Sequence, residues 1–169
     1  MTGARRQQKA WFCSPIGAAA LVALVAFATG ARLPADAATG GRVVTDTRTG
    51  LALSGFDPVA YFTDRAPRLG EGRYELTYRG SVWRFHNVGN RDAFARNPGV
   101  YVPQFGGYDP VSLVRGVAVP GHPLIWLISG NRLYLFSTLE HRNSFAADID
   151  RSRPAAEHHW PAVEATLAP

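Results

Sequence analysis

The chain has 169 residues, of which 18 are basic and 13 acidic, and it contains a single cysteine. One cysteine excludes a disulfide framework and a multi-cysteine metal site. The net charge of +5 is concentrated at the start, because residues 1–37 hold four of the basic residues and one acid. The remainder has 14 basic and 12 acidic residues, a net charge of +2 without a run of Lys and Arg. We therefore expect no nucleic-acid partner.

The first 37 residues are organised like a secretory signal. Basic residues come first, an uncharged apolar run follows over 16–29, and small residues lead to Ala37. This run is shorter than the roughly 20 residues that a membrane-spanning helix needs. We predict a signal peptide over 1–37, cleavage near Ala37, and a periplasmic or secreted protein. An uncleaved signal that stays as an anchor is the alternative, and it is the only membrane contact we expect.

Removal of this segment also removes Cys13, so the mature chain is predicted to be free of cysteine. Residues 38–50 are rich in Gly, Thr and Arg and predict a flexible leader, in which Val43-Val44 is a candidate for a short edge strand. Residues 51–169 contain enough aromatic and branched aliphatic side chains to build one core of ordinary size. They are predicted to form a single domain.

The first half of this domain combines short helices with a hairpin. Asp57 followed by Pro58 is typical of an N-cap with proline at the first helical position. Alternating apolar and polar residues predict the hairpin, and Asn87 is a suitable cap for the helix after it. The predicted elements are a helical turn over 58–62, strands 74–78 and 82–85 around an Arg79-Gly80 turn, and a helix over 88–96.

The second half uses the same devices. Asp109-Pro110 is again a cap followed by proline, Gly130-Asn131 is a turn signal, and Thr138 is a candidate cap. The predicted elements are an irregular loop over 100–109, a short helix over 110–115, strands 124–128 and 133–136, a helix over 138–147, and a final helix over 154–167 that is interrupted near Pro161.

An internal repeat connects the two halves. Five residues of the first hairpin and helix have counterparts 51 residues later. We predict an α+β fold of two ββα units around a small antiparallel sheet, with helices on the outside. The matched pairs are Trp83 and Tyr134, Phe85 and Phe136, Arg91 and Arg142, Phe94 and Phe145, and Ala95 and Ala146.

Several motifs resemble the YHS domain family, and more closely its longer, exported bacterial form. They are Gly55-Phe-Asp-Pro-Val-Ala-Tyr-Phe62, Trp83-x-Phe85, Asn90-Arg91-x-x-Phe94, Asn97-Pro98-x-x-Tyr101 and Pro103-Gln-Phe-Gly-Gly-Tyr108. The similarity covers most of residues 51–136, and Trp160-Pro161 also looks like that form. The resemblance implies a domain of YHS type and an association with metal-handling systems.

The resemblance also locates the family's metal-binding cysteines, which fall on Ala60, His86 and Asn90 of this chain. Ala60 offers no donor atom and Asn90 only a neutral oxygen, which is too little for a tetrahedral site. No cofactor is therefore expected, with copper or zinc as the alternative. The long exported members usually have Cys where this chain has Asp109, so a thiol-dependent role is not expected to carry over.

Five residues are the candidate ligand-binding set: Asp57, Tyr61, His86, Tyr108 and Asp109. We predict that they line a shared cleft, because the short helix and the Gly-Gly loop both flank the first hairpin. The structural alternative makes both aspartates helix caps and Tyr61 a core aromatic.

His86 and His141 are the candidate metal ligands. The repeat makes His141 the counterpart of Asn90 and Ser137 the counterpart of His86, so one imidazole from each unit is predicted to approach a common groove. The neighbours Glu140 and Arg142, however, favour a solvated helix face for His141.

The chain has no G-x-S-x-G, no H-E-x-x-H and no phosphate-binding glycine loop that opens a helix. We therefore predict an exported, non-enzymatic binding protein of YHS type, whose partner is an unknown small ligand or an envelope protein. The alternatives are a low-affinity copper or zinc protein of the envelope that uses His and Asp, and a protein–protein interaction module.

Overall fold

The computed structural model describes residues 43–167, which fold as a mixture of helices and strands. The strands form two small antiparallel two-stranded sheets, β1 with β2 and β3 with β4. The predicted α+β class is confirmed. The elements in chain order are α1 (Ala60–Thr63), β1 (Glu71–Tyr78), β2 (Ser81–Phe85), α2 (Val88–Arg96), α3 (Pro98–Tyr101), α4 (Pro110–Leu113), β3 (His122–Ser129), β4 (Arg132–Phe136), α5 (Leu139–Ala147) and α6 (Ile149–Glu164).

The expectation of one small sheet is wrong for residues 43–167, because the two hairpins do not pair with each other. On the outer edge of β2 the Val82 carbonyl is already used, since it accepts the Ala52 N–H at 2.9 Å. The hairpins meet through side chains instead, and Leu135 of β4 lies in the same core as Trp83 of β2.

Both hairpins turn through two residues with left-handed backbone. The φ angles are +51° and +75° at Arg79 and Gly80, and +55° and +57° at Gly130 and Asn131. Positive φ at both central residues is the type I′ geometry that matches the twist of the flanking strands. The two predicted turns are confirmed.

The first strand of each hairpin starts earlier than predicted. β1 begins at Glu71 rather than at residue 74, and β3 begins at His122 rather than at residue 124. Each strand has a register shift, after which pairing continues. Three residues of the longer strand (72–74 in β1, 123–125 in β3) lie between pairs whose partners are adjacent, and such an irregularity breaks the apolar–polar alternation that marks a strand in a sequence.

Side-chain caps start α2 and α5 where the sequence predicts them. The Asn90 N–H donates to Asn87 Oδ1 at 2.8 Å, and the His141 N–H donates to Thr138 Oγ1 at 3.1 Å. The predicted loop over 100–109 is partly helical, however. α3 begins at Pro98, a first-turn position that suits proline, and a 3₁₀ turn spans Gln104–Gly107.

The C-terminal helix α6 is longer than predicted and runs without interruption through both prolines, Pro154 and Pro161. Each proline removes one hydrogen bond and strains the turn before it. Both prolines are exposed, so water can satisfy the freed carbonyls. Burial of Ala156 and Val163 in the core holds the helix together. The predicted break near Pro161 is wrong because this packing outweighs local propensity.

Two groups of buried side chains form the interior. Strand β4 is buried on both faces. Leu133 and Leu135 point into a cluster with Trp83, Phe85 and Phe94. The alternate residues of β4 point into a second cluster: Phe105, Leu113, Tyr134, Phe136, Phe145, Ala156 and Val163.

The segment predicted as a leader is described from Val43 onward. Val43 is buried in the first cluster, and the Val44 N–H donates to the Gly106 carbonyl at 2.8 Å. Residues 43–50 therefore pack onto the folded domain. The predicted signal over 1–37 lies outside the described residues. Within residues 43–167, no helix combines the length and the apolar character that crossing a membrane requires.

Candidate functional site

Asp57 is fully buried and connects α1, β2 and α2. Its Oδ1 accepts the Val59 N–H at 2.8 Å and the Ala60 N–H at 3.4 Å, as a capping side chain does, but α1 begins at Ala60 rather than at the predicted residue 58. Its Oδ2 accepts the His86 N–H at 2.8 Å and the Asn90 side-chain amide at 2.6 Å. One carboxylate therefore fixes the start of a short helix and the junction between the strand and the helix that follow.

Asp109 connects the corresponding elements in the second half of the domain. It is also fully buried, and its Oδ1 accepts the Val111 N–H at 2.9 Å. Its Oδ2 accepts the Ser137 N–H at 2.9 Å and the Ser137 hydroxyl, and lies 2.6 Å from His141 Nδ1. An imidazole stands here where the first half has an amide.

The surroundings of Asp109 favour the ionised form of its carboxyl group. Burial acts to raise the pKa of Asp109, but the hydrogen bonds from Ser137 and His141 outweigh burial, and the net pKa lies below its ordinary value. A carboxylate accepts hydrogen bonds only, so Nδ1 of His141 is the donor in its contact with Asp109. The His141 side chain is 21% exposed.

Asp109, Ser137 and His141 are not arranged as a catalytic triad. In such a triad the serine and the carboxylate contact opposite nitrogens of the imidazole. Here the Ser137 hydroxyl binds the carboxylate, and its Oγ lies 3.3 Å from Nδ1, the nitrogen that also faces Asp109. The arrangement orients the imidazole and stabilises the fold at this point.

Tyr61 lies in the core beside Asp57. It is fully buried, and its hydroxyl donates to the Pro123 carbonyl at 2.8 Å. Burial, and then the negative charge of Asp57, raises the pKa of the Tyr61 hydroxyl far above its ordinary value. His86 meets Asp57 through its backbone N–H, while the residue itself is exposed. The structure thus brings Asp57, Tyr61 and the backbone of His86 together.

Tyr108 lies elsewhere. It is half-buried, its ring centroid is 5.9 Å from that of Trp160, and it lines a 680 Å³ cleft with Val43, Thr47 and Gly80 among others. The lining of this cleft does not include Tyr61, His86 or Asp109. Tyr108, although next to Asp109 in the chain, thus shares this cleft with none of the other four predicted members of the binding set.

Metal-ligating side chains do not cluster in the part of the chain that the structure describes. Within residues 43–167, no group of three or more His, Cys, Asp or Glu side chains could hold one metal ion. His141 is paired with Asp109, and His86 is exposed on the other hairpin. His158 and His159 are adjacent on α6, with ring centroids 5.3 Å apart.

The pairing of His141 with Asp109 corrects the expectation that His141 belongs to a solvated helix face. The repeat carried the signal, because His141 is the counterpart of Asn90, and Asn90 holds Asp57. The two aspartates, however, are 52 residues apart rather than 51. A search at one fixed offset therefore does not pair them.

A further cleft lies between α4, α5 and the start of α6. Its volume is about 290 Å³, and its walls are largely apolar. Arg115 and Arg151 are exposed residues at this cleft, and neither is in an ion pair among residues 43–167. The sequence pattern singled out two residues of this lining, Pro110 in a cap and Phe145 in the repeat, and neither of them as a ligand-binding residue. The lining is Pro110, Val111, Val114, Arg115, Ser144, Phe145, Arg151, Ser152 and Ala155.

Comparison with known proteins does not assign the chain to a family. No protein-family model matches the chain, and no curated protein or solved structure matches it.

Proposed function

We propose that the chain is an exported, non-enzymatic binding protein whose folded part is a duplicated ββα domain of YHS type. The observation that carries the binding function is the cleft between α4, α5 and α6, which combines an apolar wall with two arginines that form no ion pair within residues 43–167. Most small-molecule sites in proteins have this character, a largely apolar concavity with a few placed polar groups.

Matched backbone features support the duplication. Leu53, Ser54 and Gly55 have positive φ, and so do Phe105, Gly106 and Gly107. An aromatic residue and an Asp-Pro pair follow each triplet. We define the first copy as residues 53–101 and the second copy as residues 105–152.

Two matched hydrogen bonds extend the correspondence. The Asp57 N–H donates to the Arg68 carbonyl at 2.8 Å, and the Asp109 N–H donates to the Val119 carbonyl at 2.9 Å. The Gly70 N–H donates to the Gly55 carbonyl and the Gly121 N–H to that of Gly107, both at 2.9 Å. Each pair joins the segment before α1 or α4 to the start of its hairpin.

A close backbone approach recurs as well. A Cβ atom on Gly70 would lie 2.5 Å from the Arg84 Cβ, and one on Gly121 would lie 2.6 Å from the Leu135 Cβ. Neither position has room for a side chain. Arg84 and Leu135 are again 51 residues apart, which supports a common origin for the two copies.

The state of the reactive side chains favours binding over catalysis. Asp57 and Asp109 are buried and hold backbone N–H groups, and Tyr61 is buried with its hydroxyl bound to a carbonyl. A general base needs access to the proton that it removes, and these groups lack it. Asn90, at a position where the resemblance places a metal-binding cysteine, donates its amide to Asp57.

The second candidate is the low-affinity copper or zinc protein. Asp109 lies 2.6 Å from His141 Nδ1, and among residues 43–167 the Nε2 atom has no hydrogen bond. Metal-ligating histidines are commonly oriented by a carboxylate in this way. His141, rather than His86, is the residue on which this alternative now depends.

A thermal-shift screen tests the proposal on protein purified from cells that express the full chain. The panel contains small organic acids, amines and neutral compounds, together with copper and zinc. A saturating organic ligand at 100 times its Kd adds about 2.7 kcal/mol of stability, which for a domain of this size is a shift of several degrees. We expect such a shift, with the ligand recovered chemically unchanged.

Two results would contradict the proposal. If no organic compound raises the unfolding temperature, the binding function fails; if metals alone do so, and His141→Ala abolishes the shift, the second candidate replaces it. Export is tested separately by the mass of the protein in the extracytoplasmic fraction, where we expect a chain that begins near Ala38.

A further inference from the structure

An aromatic side chain fills the groove between α1 and α2 in the first copy. Tyr101, at the end of α3, lies against Phe62 of α1 with ring centroids 5.5 Å apart. Its ring also stacks on Phe94 of α2 at 6.4 Å. The groove between these two helices is therefore occupied by the protein's own rings.

The second copy has smaller side chains at the equivalent positions. Asn97 and Asp148 precede α3 and α6 with nearly the same backbone angles, φ −142° and ψ 62° against φ −143° and ψ 65°. Counting on from these two residues makes Ser152 the counterpart of Tyr101. Val114 is likewise the counterpart of Phe62, 52 residues on as in the aspartates.

These two replacements account for the position of the cleft. Phe145, the counterpart of Phe94, is retained and forms part of the wall together with Val114 and Ser152. Val114 is 39% exposed. The space that two aromatic rings occupy in the first copy is open in the second.

The size of the cleft limits what it can hold. An apolar cavity of about 150 Å³ accepts a benzene molecule, and this cleft has a volume of about 290 Å³. It has room for one ring with a short polar substituent, and it is at the lower end of the roughly 300–1,000 Å³ that ligand sites span.

The positive charge at the cleft indicates which polar substituent a bound ring would carry. Arg115 stands where the first copy has Thr63, and Arg151 stands where it has Val100. Both arginines line the cleft, and its lining contains no acidic residue. A guanidinium group binds a carboxylate through paired hydrogen bonds.

We infer that the cleft between α4, α5 and α6 binds a small aromatic carboxylate, with the ring in the place that Tyr101 takes in the first copy and the carboxylate at Arg115 and Arg151. This inference rests on the proposed binding function and names the ligand class and the site.

Isothermal titration with three probes tests it on the protein purified from cells that express the full chain. The probes are benzoate, benzamide, which keeps the ring without the charge, and acetate, which keeps the charge without the ring. We expect benzoate to bind more tightly than either of the others. Arg115→Gln and Arg151→Gln should each weaken benzoate about fivefold, the upper range for an exposed ion pair, and leave benzamide unchanged. Arg96→Gln on α2, outside the cleft lining, is the matched control and should change nothing.

Ser152→Tyr combined with Val114→Phe copies the filling of the first copy and should abolish benzoate binding. The unfolding temperature of this variant, at or above that of the wild type, shows that it is folded; Val114→Phe alone is the milder second variant. If benzoate binds both variants as it binds the wild type, or does not bind the wild type at millimolar concentration, the inference is wrong. The binding function survives if another compound of the thermal-shift panel binds the blocked variant, and fails together with the inference if none binds the wild type.

Discussion

The regions around Asp57 and Asp109 share the same buried carboxylate hydrogen bonds but differ in the side chains around them. In both, a buried carboxylate caps a short helix and accepts the N–H of the residue that follows a hairpin. The first region adds an amide and fills its groove with Tyr101, whereas the second adds an imidazole and leaves a cleft. These shared hydrogen bonds depend on a few buried residues. The side chains between the helices can therefore differ between the two regions while the backbone arrangement stays the same.

The largest difference between the regions should appear in their central phenylalanines. Phe94 contacts four rings (Tyr78, Trp83, Phe85 and Tyr101), and Phe145 contacts two (Tyr134 and Phe136). Phe94→Ala should lower the free energy of unfolding by about 4–5 kcal/mol and Phe145→Ala by about 3–4 kcal/mol. Urea denaturation measures both. A larger loss for Phe145→Ala would show that the second core is the tighter one.

Exchanging the residues that fill or open the groove tests whether the grooves at Tyr101 and Ser152 are equivalent. Tyr101→Ser removes a half-buried ring and should lower the free energy of unfolding by about 2–3 kcal/mol. Ser152→Tyr fills the open cleft and should raise it by about 0.5–1 kcal/mol. The same denaturation measurements decide the matter, since a loss with Ser152→Tyr would mean that the two grooves are not equivalent.

Acid should act on the second region through Asp109. Because the pKa of Asp109 is lower in the folded state than its ordinary value of 3.8, its contribution to stability is complete above pH 3.8 and is lost as the pH falls through the folded-state pKa. Asp109→Asn should cost about 1–2 kcal/mol at pH 7 and reduce the loss of stability between pH 5 and pH 2. Denaturation over this pH range measures it. An unchanged pH dependence in the variant would exclude Asp109 as a source of acid sensitivity.

The smallest effect should come from copying the first region's amide. His141→Asn keeps a donor for Asp109, as Asn90 does for Asp57, and should change the free energy of unfolding by less than about 0.5 kcal/mol. His141→Ala removes the donor and should cost about 1 kcal/mol. If the two variants lose equal stability in urea, the imidazole contributes through packing rather than through its hydrogen bond.

Local chemistry explains which parts of the fold could be predicted. Asn87 and Thr138 cap their helices, and Arg79-Gly80 and Gly130-Asn131 turn their hairpins, because these roles depend on neighbouring atoms alone. The course of α6 through Pro154 and Pro161 depends on burial against distant residues, which overrides local propensity.

The candidate site could be predicted less well. The role of Asp57 as a cap follows from the Asp-Pro pair, but its bond to Asn90 crosses 33 residues, and that of Asp109 to His141 crosses 32. The cleft itself arises from what Ser152 lacks relative to Tyr101. The repeat offset of 51 residues pairs Tyr101 with Ser152, but it carries no signal that a cleft results; the matching backbone conformation of Asn97 and Asp148 supports the equivalence in space.

Mapping benzoate on the protein by ¹H–¹⁵N NMR titration tests the proposed cleft most directly. We predict that the largest saturable shifts occur at the amides of Val114, Phe145 and Ser152, and that the equivalent amides of Phe62, Phe94 and Tyr101 stay unchanged. Equal shifts in both regions, or shifts confined to the Tyr108 cleft, would contradict it.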